Sequence, residues 1–169
     1  MSLPKPTLVL GHDPGISGSF AVYDMVEKTL VEVWDMPRSP DHAFNAKGAA
    51  NSIERYAPRI RFACVEDVGA MTYVNAYGEK RGQGAAASFA FGRYAGTVHG
   101  ILAAFKISMF LVRPAVWKSI YGLSGDKNLS LKMARELFPD HAAQFSRKKD
   151  DGRAEAALLA LFGAERIKT

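Results

Sequence analysis

The residues best placed to do chemistry are a set of acids: Asp13, Glu66, Asp151 with its neighbour Asp150, and Glu155. Asp13 ends the apolar run Thr7-Leu-Val-Leu-Gly-His12 and opens the turn Pro14-Gly15-Ile-Ser-Gly18. An acid at the end of a buried strand is a poor choice for stability and a good one for a metal ligand, and glycines beside it let a backbone or a phosphate come close. Glu66 ends a second apolar run, Phe62-Ala-Cys-Val65. Asp151 and Glu155 are four apart, so a helix places them on one face, where like charges repel unless a cation lies between them. Carboxylates without thiol or imidazole partners suit Mg²⁺ or Mn²⁺. Two such ions ~3.5–4 Å apart can activate a water and steady the leaving oxygen of a phosphodiester.

Each acid also has a plainer explanation. Asp13 would cap the Pro14-Gly15 turn. Glu66, followed by Asp67, would be a solvated strand end, and Asp150 and Asp151 would complement a helix dipole. Their joint occurrence is what favours a metal site.

The elements that must carry these acids are readable in outline. Thr7 to Asp13, Gly18 to Asp24 and Thr29 to Met36 are β-prone runs with short connections, which favours antiparallel pairing. A helix is expected from about Ala43 to Tyr56, stopped by Pro58. Arg61 to Glu66 is a fourth strand, Met71 to Gly84 a long polar, Gly-rich loop, and Ala85 to Phe105 a helix of small and apolar residues. Gly92, Gly96 and Gly100 recur every four residues along that helix and leave one face nearly bare, against which another backbone can pack closely, an interface for a second chain. Ser108 to Val112 is a fifth strand, Pro114 opens a helix to Tyr121, Ser130 is expected to cap a helix to Phe138, and a last helix runs from about Asp150 to Phe162. The order predicts an α/β fold, a mixed five-stranded sheet with three antiparallel N-terminal strands, flanked by helices.

At 169 residues and 48% hydrophobic, the chain suits one domain, 1–169, with residues 1–6 as a flexible leader. Its 22 Lys+Arg against 17 Asp+Glu give +5, a mild bias toward polyanions such as nucleic acid. The single Cys64 allows neither a disulfide framework nor a cysteine zinc site within the chain, consistent with a cytoplasmic setting. No run reaches the ~20 apolar residues of a membrane span, and no nucleotide cofactor is expected.

With these residues in place, the chain resembles the RuvC family of Holliday junction resolvases, in its short phage-type branch, within the RNase H-like superfamily. The resemblance is carried by Gly11-His-Asp13-Pro-Gly15, Cys64-Val-Glu66, Ser88-Phe-Ala-Phe-Gly92-Arg93-Tyr-Ala-Gly96, Arg113-Pro-Ala-Val-Trp117-Lys118, Gly125-Asp-Lys127 and Lys148-Lys-Asp-Asp-Gly-Arg-Ala-Glu155-Ala, and spans nearly the whole chain. It implies an RNase H-like nuclease domain that acts as a homodimer on four-way or branched DNA, with Asp13 and Glu66 as metal ligands. The last helix departs from the family pattern, in which two acids, or a His and an acid, stand three apart; here Asp151 and Glu155 are four apart, and Asp150 is the alternative to Asp151. His12 replaces an apolar strand residue and is expected in the core.

The resemblance also implies that Lys118 and Lys127 approach DNA near the scissile phosphate. Arg93, Arg147, Lys148 and Lys149 would neutralise backbone phosphates. Tyr73 and Tyr77 lie where the family inserts an aromatic at the junction centre, and Trp117 is expected to pack in the core. The expected activity is metal-dependent hydrolysis of phosphodiester bonds in four-way DNA. The alternatives are a nuclease on other branched DNA or RNA/DNA hybrids, and a non-catalytic DNA-binding module.

Overall fold

The computed structural model describes residues 6–67, 72–74, 80–82 and 84–166, so most of the expected leader lies outside the described residues. Strands β1 (Leu8–Asp13), β2 (Ser19–Asp24), β3 (Thr29–Asp35), β4 (Ile60–Glu66) and β7 (Met109–Val112) form one sheet in the order β3-β2-β1-β4-β7. A separate hairpin joins β5 (Thr72–Val74) to β6 (Lys80–Gly82). The first three strands pair antiparallel; β4 and β7 join in parallel beside β1. The mixed sheet is therefore as the short N-terminal connections predict.

Side-chain alternation splits the core in two. Leu8, Leu10, Phe20, Val22, Ala63 and Val65 pack with Ile53 of α1 (Ala46–Glu54) and with Val98 and Leu102 of α2 (Ala85–Ala104). On the opposite face Val9, Ala21, Phe62 and Cys64 pack against α5 (Asp151–Arg166), together with Trp117 of α3 (Pro114–Ile120) and Leu131 and Ala134 of α4 (Lys127–Leu137). Helix α5 buries Ala154 and the run Ala156–Ala160, as a helix that is apolar almost all round must.

Glycines set how closely α5 lies on the sheet. A Cβ on Gly11 of β1 would sit 2.0 Å from the Ala156 carbonyl oxygen and 2.5 Å from the Ala160 nitrogen. On the helix side, a Cβ on Gly163 would meet Cys64, Phe62 and Val9 at 3.0–3.1 Å. A strand glycine here marks close backbone approach. The helix carrying Asp151 and Glu155 is thus held directly over the strand carrying Asp13.

Several expectations need correction. The first helix begins at Ala46, because Asn45 caps it by accepting from the Gly48 amide at 2.8 Å, while Arg38 and Phe44 form an antiparallel bridge upstream. The stretch read as a loop from Met71 to Gly84 contains the β5–β6 hairpin, three residues on each side, a run too short for alternation to reveal. Ser130 does not cap α4: Asp126 does, accepting from the Asn128 amide at 2.9 Å, and Ser130 is buried within the helix. By contrast, the face of α2 expected to be bare is so: a Cβ on Gly92, Gly96 or Gly100 would meet nothing within 4 Å among the described residues.

Candidate functional site

Alternation decides where the acids point. Val9, Gly11 and Asp13 share one face of β1, and Phe62, Cys64 and Glu66 share the same face of β4. The parallel register pairs His12 with Val65, so Asp13 and Glu66 follow immediately at adjacent strand ends. Helix α5 crosses above and adds Glu155. One ligand oxygen from each of Asp13, Glu66 and Glu155 can lie within 4.8 Å of the others, with Glu66 and Glu155 8% and 9% exposed. Gly152 belongs to the same arrangement, since a Cβ there would stand 3.1 Å from Asp13 Oδ2 and 2.8 Å from the Ser17 carbonyl oxygen.

Gathering carboxylates out of water raises their proton affinity. The Asp13 carboxyl is pushed well above the usual carboxylate range, first by burial, then by Glu66, Glu155 and Asp151, against a smaller opposing pull from Lys118. Glu66 is pushed up by burial and by Glu155, while the Trp117 indole and Lys118 act the other way. A cation among these oxygens would remove the conflict. All-oxygen donors at the mouth of a sheet fit a hard divalent ion, so the residues suit such a metal.

The surrounding groups supply positive charge and donors. Lys118 Nζ lies 2.8 Å from Glu155 Oε1 and 5.2 Å from the Trp117 ring centroid. Trp117 donates its indole N–H to Glu66 Oε2 at 2.8 Å, and Ser130 Oγ donates to Glu155 Oε1 at 3.3 Å. Lys127, in the first turn of α4, forms an ion pair with Asp151. Helices α3 and α4 thereby bracket the carboxylates with two ammonium groups.

The global arrangement can be matched to solved structures. It is similar to Thermus thermophilus RuvC in complex with a Holliday junction substrate, at 17% identity and a TM-score of 0.64, covering 94% of this chain and 95% of that one. A second Thermus thermophilus RuvC structure matches at 21% identity and a TM-score of 0.63, with the same coverage. The fowlpox virus Holliday junction resolvase matches at 13% identity and a TM-score of 0.55, covering 94% and 97%. The chain has the RuvC fold. No protein-family model and no curated protein matches the sequence.

On this RuvC fold, the acids expected from the sequence divide. Asp13, Glu66 and Glu155 come together, with Asp151 close enough to raise the Asp13 carboxyl. Asp150 is directed elsewhere: Arg147 binds both of its oxygens, by its main-chain N–H at 2.8 Å and its guanidinium at 2.7–3.1 Å. That pairing holds the Asp150 carboxyl below its usual range, and Asp150 is not among the carboxylates that converge with Asp13. His12 is fully buried in the core, stacked on Phe20 at 4.3 Å with Nδ1 3.1 Å from the Ser19 carbonyl oxygen; burial lowers it to about 4.

The expected basic and aromatic residues are more dispersed. Lys118 and Lys127 stand at the acids, Arg147, Lys148 and Lys149 are exposed ahead of α5, and Arg93 is exposed on α2. Tyr73 is at the centre of β5, in register with Arg81, and Tyr77 lies outside the described residues. Among the described residues, no helix is long and apolar enough to cross a membrane.

Sequence reasoning missed three supporting residues. Ser130 reads as a cap and instead donates to Glu155. Trp117 is in the core as expected, but its N–H is a Glu66 donor. Arg153, between the two α5 acids, grips Asp35 at 2.6 and 2.7 Å and Gln144 at 2.9 Å, which ties α5 to the end of β3. A strand glycine before an acid and a glycine between two helix acids were the available signals for close packing.

Proposed function

We propose that this protein is a Holliday junction resolving endonuclease, a member of the short phage-type branch of RuvC-like enzymes, hydrolysing phosphodiester bonds in four-way DNA with Mg²⁺ or Mn²⁺. The observation that carries the proposal is the convergence of Asp13, Glu66 and Glu155 from two strands and a helix on a RuvC fold. The similar structures include RuvC bound to a Holliday junction and a poxvirus junction resolvase, which supports branched DNA as substrate.

In this reading Asp13, Glu66 and Glu155, with Asp151 beside them, would hold two divalent ions, which when bound would supply activation of the attacking water and stabilisation of the leaving 3′ oxygen. Lys118 and Lys127 neutralise Glu155 and Asp151 before DNA arrives and then lie ready for phosphate oxygens. The Trp117 indole and Ser130 hydroxyl fix the orientations of Glu66 and Glu155. Arg93, Arg147, Lys148, Lys149, Tyr73 and Tyr77 contribute to the DNA surface.

The 1–169 chain acts as one nuclease domain in the cytoplasm, as a homodimer that sets two sites on a two-fold junction. The uncovered glycine face of α2, with Phe89 69% exposed, supports a partner chain there. Light scattering at micromolar concentration should give twice the chain mass. Purified protein should nick a labelled four-way junction at paired sites with Mg²⁺ and leave it intact with EDTA. Equal cleavage of junction, RNA/DNA hybrid and plain duplex, or cleavage persisting in Asp13→Asn, would overturn the proposal.

A further inference from the structure

Behind the β1–β2 turn lies a polar cavity of about 460 Å³, lined by Ile16, Ser17, Gly18, Arg38, Arg147 and Lys149, with Asp35 and Asp150 in its wall. It does not include the carboxylate cluster, but it begins on the back of the same turn: a Cβ on Gly18 would lie 2.0 Å from the Asp13 carbonyl oxygen. Its cations come from separated segments, Arg38 from beyond β3, Arg147 and Lys149 from the approach to α5.

Its charge is unbalanced in a particular way. Asp35 is gripped by Arg153 through two hydrogen bonds, and Asp150 by Arg147, so both wall carboxylates already have a cationic partner. Arg38 and Lys149 have no carboxylate partner among the described residues. Arg38 is positioned by donating Nη2–H to the Ile16 carbonyl oxygen at 2.7 Å, which leaves the rest of its planar fork available. Gly18 and exposed Ser17 add a main-chain surface without bulk. A guanidinium and an ammonium beside a narrow glycine turn match the charge and the hydrogen-bonding geometry of a backbone phosphate.

We propose that this cavity is a second phosphate subsite, anchored by Arg38 with Lys149, that binds a backbone phosphate of the same DNA strand beyond the one at Asp13, Glu66 and Glu155. The proposal rests on the nuclease reading for its ligand, and it assigns Arg38 a role that no sequence motif indicates. Its value to the enzyme is register: a strand held on both sides of the β1–β2 turn cannot slide past the acids.

The test is the salt dependence of DNA binding, measured by fluorescence anisotropy in EDTA on both a four-way junction and plain duplex. Arg38→Gln, Lys149→Gln and their combination are compared with Arg61→Gln, an exposed charge deletion at the opposite end of β4 from Glu66. Loss of one phosphate contact should reduce the slope of log K against log salt by about 0.9 in the double variant and leave it unchanged in Arg61→Gln. Equal slopes in the double variant and Arg61→Gln would overturn the subsite. So would competition by micromolar inorganic phosphate that depends on Arg38, because the site would then serve a free anion. A protein that shows the slope change yet never cuts a junction refutes the resolvase reading alone; one that cuts junctions without the slope change refutes the subsite alone.

Discussion

Trp117 donates its indole N–H to Glu66 Oε2 at 2.8 Å across a sequence separation of 51 residues, so a core side chain of α3 also orients a carboxylate at the end of β4. Burial raises the Glu66 carboxyl, and this donor is the leading influence against it. Outer donors of this kind typically govern metal affinity by 10–100-fold. Trp117→Phe should therefore weaken Mn²⁺ binding about 10–100-fold by calorimetric titration, beyond any loss of thermal stability. Unchanged affinity in a destabilised variant would reduce Trp117 to a packing residue.

Asp13 should cost the metal-free protein stability at neutral pH. Its folded-state carboxyl lies well above the ordinary value, so its contribution is fully favourable below the unfolded value and is lost as pH rises through the folded one. Asp13→Asn should melt above wild type at pH 7 without metal, by roughly 2–4 °C for each kcal/mol relieved, with the gap closing toward about pH 4. The same substitution should reduce junction cleavage by at least about 10²–10³-fold. A variant less stable than wild type at pH 7 would contradict the electrostatic account.

Lys118 stands in for a cation at Glu155, with both side chains mostly buried, 19% and 12% exposed. Lys118→Met should cost roughly 1.5–3 kcal/mol in EDTA, the range for a hydrogen bond to a charged group. Added Mn²⁺ should raise the melting temperature of Lys118→Met more than that of wild type, because the metal takes over the missing charge. Equal metal-induced shifts would argue that Lys118 does not share the carboxylates with a metal.

Gly11→Ala should displace α5, since the new Cβ would fall 2.0 Å from the Ala156 carbonyl oxygen, a main-chain atom that no side-chain rotation can move. Overpacking of this kind costs about 1–3 kcal/mol or more, read as a lower midpoint in urea. Cleavage should fall further than stability does, because Glu155 moves away from Asp13 and Glu66. Gly152→Ala, with its nearest main-chain contact at 2.8 Å, should be milder in stability but still impair cleavage. A fully active, stable Gly11→Ala protein would show that α5 can settle elsewhere.

The sequence alone determined the mixed sheet and the acids at its strand ends, because short connections restrict pairing and an acid after an apolar run marks a strand mouth. It also placed Asp151 and Glu155 on one face of a helix, since that follows from the helical repeat. Tertiary structure decided how these parts meet. Only the approach of α5 over Gly11 brings Glu155 to Asp13 and Glu66, and only the position of Arg147 separates Asp150 from Asp151, two neighbours of identical chemistry. Ser130, Trp117 and Arg38 were illegible for the same reason: each acts through a partner distant in the chain, and local pattern records a residue's own turn or face, not the group that folding sets against it.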